Sequence, residues 1–245
     1  MRQLITVIMP ALNEASCVVD VVSSLPIEEF SARGFDTEIL VVDNGSVDGT
    51  GELARNAGAR VICEPRRGYG YAYLKGFKEA KGYIICTLDA DGTYPVHMLP
   101  ELADRLLKEN LDFISTNRFL YMHKGVMSRT NRVGNAILTV ASRTIFGLPF
   151  RDSQSGMWVF RADLLKRMHL QAVGMALSQE IKIEAACRLG ARCTEIPIPY
   201  DYRSGKSKLR VWRDGIGNFT YLFWKRFHTN GHNGDKKPEN FRISY

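Results

Sequence analysis

The stretch Tyr83 to Pro95, YIICTLDADGTYP, runs from unbroken apolar residues into two aspartates and a glycine. Ile84, Ile85, Cys86, Thr87 and Leu88 read as a buried parallel strand, because β-branched and apolar residues continue there without alternating. Residues two apart in an extended segment share a side, so the carboxylates of Asp89 and Asp91 are expected to converge across Ala90 before Gly92 turns the chain. Paired carboxylates at the carboxyl end of an α/β strand suit a hard divalent cation, Mg²⁺ or Mn²⁺, that carries substrate phosphates. An isolated Asp-x-Asp is also the pattern of an ordinary acidic turn, so the chain around it decides.

Upstream, Leu4 to Met9 is a strand candidate, followed by the loop Pro10 to Glu14 and a helix to about Leu25. Ile39 to Val42 is a second strand that ends at Asp43-Asn44-Gly45-Ser46, with Ser46 or Asp48 as cap for the helix running towards Ala57. Ala59 to Cys63 makes a third strand, and a loop with Arg66, Arg67, Gly68 and Gly70 leads into a helix ending near Lys81. The two glycines read as packing positions. Downstream of the aspartates come a helix over about 96–108 and a strand from Phe113 to Thr116. Strand alternating with helix predicts a parallel, doubly wound sheet over the first ~115 residues, with the loops at Pro10, Asp43 and Asp89 on one ligand-gathering edge.

Beyond Thr116 the texture changes. Residues 117–135 mix cations with aromatics and glycines, then enter a helix-like segment with Ile137, Leu138, Ala141, Ile145 and Phe146 on one face. Met157 to Phe160 reads as a strand returning to the sheet, Ser178 to Leu189 as a helix, and Arg192 to Ile198 as a last strand. The loop 202–209 is basic and flexible in composition. A final helix from Arg210 to Phe227 carries Trp212, Ile216, Phe219, Phe223 and Phe227 along one side, with Arg213, Lys225 and Arg226 off it. Both helices fit an anionic lipid interface, and both equally fit a sheet-packed layer.

The 245 residues, 45% hydrophobic, suffice for one substantial core. The boundaries implied are one catalytic domain over 1–228, divided at 116/117 into a nucleotide-sugar half and an acceptor half, and a polar tail over 229–245. The formal net charge of +7 points to an anionic partner without choosing among nucleic acid, nucleotide phosphate and membrane. Five scattered cysteines without a C-x-x-C pair suit reduced thiols in the cytoplasm. The short apolar run before Pro10 suits a first strand better than a leader or anchor, and no stretch approaches the roughly 20 apolar residues of a membrane span. Any membrane association is therefore expected to be peripheral.

Six segments in order, PALNE at 10–14, VVDNGSVDGT at 41–50, RRGYGYAYLKGFKEAKG at 66–82, TLDADGTYP at 87–95, DSQSGMWVF at 152–160 and YRSGKSKL at 202–209, resemble the family 2 glycosyltransferases of the GT-A fold. The likeness is strongest to the dolichyl- and polyprenyl-phosphate hexose synthases. It implies an α/β, Rossmann-like, mostly parallel sheet flanked by helices, with amphipathic helices towards the C-terminus. It also implies transfer of a hexose from a nucleotide diphosphate, GDP-mannose before UDP-glucose, to dolichyl or polyprenyl phosphate at the cytosolic membrane face.

By this resemblance Pro10, Ala11, Asn13, Glu14, Asp43, Asp89, Ala90 and Asp91 would bind the donor, with Asp89 and Asp91 holding Mg²⁺ or Mn²⁺. Arg203, Ser207 and Lys208 would close over its pyrophosphate. Arg118, Arg129 and Arg132 would hold the acceptor phosphate, for which the planar guanidinium is suited. A lipid monophosphate is already anionic near neutral pH; if a base assists it, Asp152 is the first candidate and Glu180 the second. Thr93 stands where the mannosyl-lipid synthases often place glutamine, and Asn44 where many relatives carry aspartate. Transfer to a glycan acceptor would instead require a true base. A basic nucleic-acid-binding module is the non-enzymatic alternative; no nucleic-acid motif supports it, and acids in the expected cleft oppose it.

Overall fold

The computed structural model describes residues 2–123, 125–203, 211–228 and 242–243, without the side chains of 211–213 and 242–243. Its strands are β1 (Gln3–Ala11), β2 (Phe35–Asp43), β3 (Arg60–Cys63), β4 (Ile84–Thr87), β5 (Phe113–Asn117), β6 (Trp158–Arg161), β7 (Cys193–Pro197) and β8 (Arg242–Ile243). They form one sheet in the order β3-β2-β1-β4-β6-β5-β7-β8.

The helices are α1 (Val18–Ser23), α2 (Ile27–Ala32), α3 (Thr50–Asn56), α4 (Tyr69–Glu79), α5 (Leu99–Lys108), α6 (Arg129–Phe146), α7 (Leu177–Lys182) and α8 (Val211–His228). α7 continues as a wider π-helical turn over Ile183–Arg188. Several short elements escaped the sequence pattern: α2, set off by Pro26, a 3-10 turn over Ala162–Lys166, β8, and the π turn, whose apolar spacing does not differ from that of an α-helix.

The unbroken apolar strands are central and covered on both sides, as their lack of alternation requires. Ile5, Val7 and Met9 of β1 face a core built with α1, α2, α3 and α5, while Ile8 faces a second core built with α4, α6, α7 and α8. The first four strands pair in parallel as expected. The parallel sheet expected over the first ~115 residues is interrupted, since β5 does not join β4. β6 inserts between them, antiparallel to both.

That insertion positions the site. Because β6 runs opposite to its neighbours, its lead-in at 152–157 opens on the edge where β1, β2, β4, β5 and β7 end. Asp89, Arg118, Asp152 and Tyr200 are far apart in sequence, yet all emerge at that edge. The N-cap position of α3 is Gly49, while Asp48 Oδ1, one residue earlier, accepts from the Thr50 amide that opens the helix; Ser46 makes no such bond. Of the polar tail, Arg242 and Ile243 pair with Thr194 and Glu195 of β7; the rest lies outside the described residues.

Gly68 and Gly70 do serve packing. A Cβ on Gly68 would lie 2.5 Å from the Val173 carbonyl oxygen, and one on Gly70 would overlap the backbone of Ala172 and Val173. Backbone cannot yield as a flexible side chain does, so Gly70→Ala is expected to cost about 1–3 kcal/mol or more by urea unfolding, with loss of the 172–175 strap from α4. A variant of unchanged stability would contradict this close approach.

Candidate active site

Two cavities occupy the carboxyl edge. The first, about 310 Å³, is lined by the loops after β1, β2 and β4, including Pro10, Ala11, Glu14, Asn44, Asp89, Ala90 and Asp91. These loops are stitched to each other. The Asn13 amide donates to Ser46 Oγ at 2.9 Å and the Val47 amide to Asn13 Oδ1 at 2.9 Å. The Ala15 amide donates to Asp48 Oδ2 and the Glu14 amide to Thr50 Oγ1.

Asn13, at φ +52°, therefore braces the cavity without lining it. Asp43 also stands behind the wall, with its Oδ1 accepting from the Ser46 amide. The neighbouring Asn44 is buried and lines the wall, binding the Glu64 and Arg66 carbonyls and the Gly68 amide. An aspartate could not donate the first two of those bonds, which explains the asparagine.

Asp89 and Asp91 share this cavity, as the two-residue spacing predicts. Asp91 is 1% exposed. One of its oxygens accepts from the Thr93 amide at 3.1 Å and the Thr93 hydroxyl at 2.6 Å. The other forms an ion pair with Arg203. Burial and then the charge of Asp91 push the Asp89 carboxyl up to about 7. Two acids that resist joint ionisation until a cation arrives, one already contacted by a guanidinium, fit a hard divalent ion. The described residues contain no cluster of three or more His, Cys, Asp or Glu side chains at metal-binding distance, so phosphate or water would have to complete the shell.

The second cavity, about 240 Å³, lies beside the first and shares Tyr69, Asp89, Met175, Arg203 and Asp214 with it. Arg118, Tyr94 and Tyr200 line it from the sheet edge, Asn131, Asn135 and Leu138 from α6, and Gly215 and Asn218 from α8. Arg118 is 7% exposed and grips Asp152 through Nε at 2.7 Å and Nη2 at 2.9 Å. Burial raises the Asp152 carboxyl, but the Arg118 guanidinium outweighs it and holds the group below the usual carboxylate range. Lys182, also fully buried, donates to the Asp152 carbonyl at 2.7 Å and the Ser155 carbonyl at 3.0 Å. Burial lowers its ammonium to about 7.

The structure thus brings together Pro10, Ala11, Glu14, Asp89, Ala90, Asp91, Arg118 and Arg203. Asp152 lies behind Arg118, lining neither cavity. Glu180, the second candidate base, is corrected to a structural role: it is fully buried outside both cavities and accepts from the Gln171 and Ala172 amides, Tyr221 and Lys225. Lys225, grouped with the surface cations of α8, is likewise buried between Glu180 and Glu184. Arg129 and Arg132 are exposed on the first turns of α6, next to the cavity-lining Asn131, and line neither cavity. Ser207 and Lys208 lie outside the described residues.

Sequence reasoning missed Tyr69, Gln154 and Asn218. Asn218 Nδ2 donates to Gln154 Oε1, Gln154 Nε2 to Gln179 Oε1, and Gln179 Nε2 to the Asn218 carbonyl, tying the 152–156 loop to α7 and α8. No local pattern marks such a ring; the only available signal was that Gln154 stands inside DSQSG.

A mostly parallel sheet with an inserted antiparallel strand, and an Asp-x-Asp loop where two cavities meet, define a glycosyltransferase of the GT-A fold. The pattern of glycosyl transferase family 2 matches residues 6–168, and the chain belongs to that family. It is 35% identical over 229 residues to the glycosyltransferase AglJ of Haloferax volcanii, covering 92% of this chain and 73% of that one. It is 33% identical over 213 residues to a dolichyl-phosphate hexose transferase of the same organism, covering 86% and 89%. Among solved structures, glucosyl-3-phosphoglycerate synthase from Mycobacterium tuberculosis, crystallised with Mn²⁺, UDP and glucosyl-3-phosphoglycerate, superposes with a TM-score of 0.71 at 22% identity. That match covers 91% of this chain and 80% of the other, and establishes the shared fold.

The raised Asp89 carboxyl gives a pH signature. Native Asp89 keeps its proton to about 7, against 3.8 for a free side chain, so the native state binds more protons across that window and loses stability as pH rises through it. Asp89→Asn cannot ionise. Without metal, its melting temperature relative to wild type is expected to climb between pH 4 and 7 and level off above; a pH-independent difference would refute the shift.

Proposed function

We propose that this enzyme transfers a hexose from a nucleotide diphosphate to dolichyl or polyprenyl phosphate, dependent on Mg²⁺ or Mn²⁺. GDP-mannose is the first donor and UDP-glucose the second. The observation that carries the reading is the meeting of the two cavities at Asp89 and Arg203. The first cavity takes the nucleotide and the second the acceptor phosphate. Likeness to a dolichyl-phosphate hexose transferase over nearly its whole length supports the acceptor class.

Asp91 and Asp89 would hold the metal, whose charge would stabilise the negative charge that develops on the departing diphosphate. Arg203 adds a cation at the same place, with Ser207 and Lys208 as further donor contacts. Arg118 offers its guanidinium to the acceptor phosphate, joined by Arg129 and Arg132 when the lipid approaches along α6. The acceptor phosphate is already an anion and attacks the anomeric carbon directly, inverting it to a β-linked product. Asp152 acts as the group that keeps Arg118 charged and aimed, since its own oxygens are engaged by that guanidinium.

Among the described residues no helix is long and apolar enough to cross a membrane. α8 nevertheless exposes Ile216, Phe219, Phe223 and Phe227, and α6 exposes Val133, Ile137 and Val140, while Leu138 and Phe146 turn inward. This outward apolar row supports peripheral contact with the cytosolic membrane face, where the acceptor resides.

Incubation with Mg²⁺ or Mn²⁺, a short polyprenyl phosphate and each donor in parallel is expected to yield a glycosylated lipid detectable by mass, lost at least 100-fold in Asp91→Ala. Metal-dependent donor hydrolysis without lipid product would overturn the acceptor assignment.

Removing Arg118 alone strips a buried carboxylate of its guanidinium partner. Arg118→Gln is therefore expected to cost about 3–5 kcal/mol in urea unfolding. Adding Asp152→Asn should restore most of that stability without restoring transfer. Recovery of transfer in the double variant would remove Arg118 from acceptor binding.

A further inference from the structure

We infer that Arg203 is a placeholder cation, and that divalent metal enters the site by exchanging with it as the nucleotide diphosphate arrives. The inference deepens the metal-dependent reading above and rests on it.

Asp91 has two oxygens and both are in use. Thr93 takes one through its amide and hydroxyl, and Arg203 pairs with the other. The Thr93 contacts are local and belong to the turn itself. A metal ion therefore reaches Asp91 through the oxygen that Arg203 holds, and the two cations exclude each other there.

Electrostatics explains why the chain supplies its own cation. Asp91 is 1% exposed, and Asp89 and Glu14 line the same cavity. Gathering three carboxylates without a positive charge is costly at such burial. Arg203 borders both cavities with its side chain about one-third exposed, so it reaches the acids without being locked in the core.

Exchange is balanced when metal and diphosphate arrive together. The divalent ion compensates the acids more fully than a single guanidinium, and the diphosphate gives the released Arg203 a new anionic partner suited to its planar fork. Metal alone displaces Arg203 into water and loses that compensation. The two ligands should thus bind with positive coupling, each raising the other's affinity by the same factor.

The test is direct Mn²⁺ binding, read from the free-ion paramagnetic resonance signal, with and without GDP or UDP. Wild type is expected to bind Mn²⁺ weakly alone and about tenfold or more tightly with the matching nucleotide, within the usual range of such couplings. Arg203→Gln should bind Mn²⁺ alone about tenfold more tightly than wild type and show reduced coupling. Arg203→Lys, which keeps the charge, should remain close to wild type, and a melting curve on each variant reports whether the fold is kept.

Equal or weaker Mn²⁺ binding by folded Arg203→Gln, in a protein whose wild type binds Mn²⁺ with nucleotide, overturns the exchange and leaves the metal-dependent reading intact. Absence of Mn²⁺ binding in every form, nucleotide present, overturns both.

Discussion

A carboxylate buried without compensation would break this structure, and Asp152 is the clearest instance. It is fully enclosed, and its two oxygens are taken by the Arg118 guanidinium and by the Arg118 and Gln154 amides. The backbone around it is held as firmly: Lys182 binds the carbonyls of Asp152 and Ser155, and Glu195 accepts from the amides of Arg151 and Asp152. Glu195 also accepts from Asn117. One ionic network therefore fastens the end of β5, the lead-in to β6, α7 and β7. Such networks are rigid when fully satisfied, because every partial arrangement leaves a charge stranded in low dielectric.

The same logic divides the site into a wall whose arginine is buried and one whose arginine is about one-third exposed. On the acceptor side Arg118 is committed to Asp152 and presents its remaining surface to the cavity, stacked at 5.3 Å over the Tyr200 ring. On the donor side the acids are held by the Thr93 turn and balanced by an arginine from the segment that follows β7. Glycosyl transfer needs both properties. On the proposed reading, an acceptor phosphate would meet a preorganised cation, whereas a donor and its metal would enter, react and leave.

The donor half was largely legible in the sequence because its information is local. An apolar run marks each parallel strand, and the residues just after it, Pro10, Asp43 and Asp89, must lie on one edge by topology alone. The acceptor half was less legible because pairing there is not local. Nothing in WVFR states that it will run antiparallel between Ile84–Thr87 and Phe113–Asn117, and without that placement Arg118 and Asp152 have no reason to meet. Helical periodicity likewise placed Ile137 beside Leu138 on a single face, whereas α6 turns the first outward and the second into the core. Glu180 and Lys225 look like ordinary surface charges in sequence and satisfy each other in the interior. Buried ion pairs leave no periodic trace.

The insertion of β6 also bears on how the protein is made. During synthesis the first 117 residues emerge with the outer edge of β4 open and β5 without either lasting neighbour, since β6 and β7 are still to come. An exposed edge of apolar strand invites wrong pairing. The half proposed to bind the nucleotide therefore ends on an open strand edge despite its self-contained appearance in sequence. That edge finds its partner only once the chain has been made as far as Arg161, 74 residues after Thr87 closes β4, so the sheet depends on a pairing that is distant in sequence.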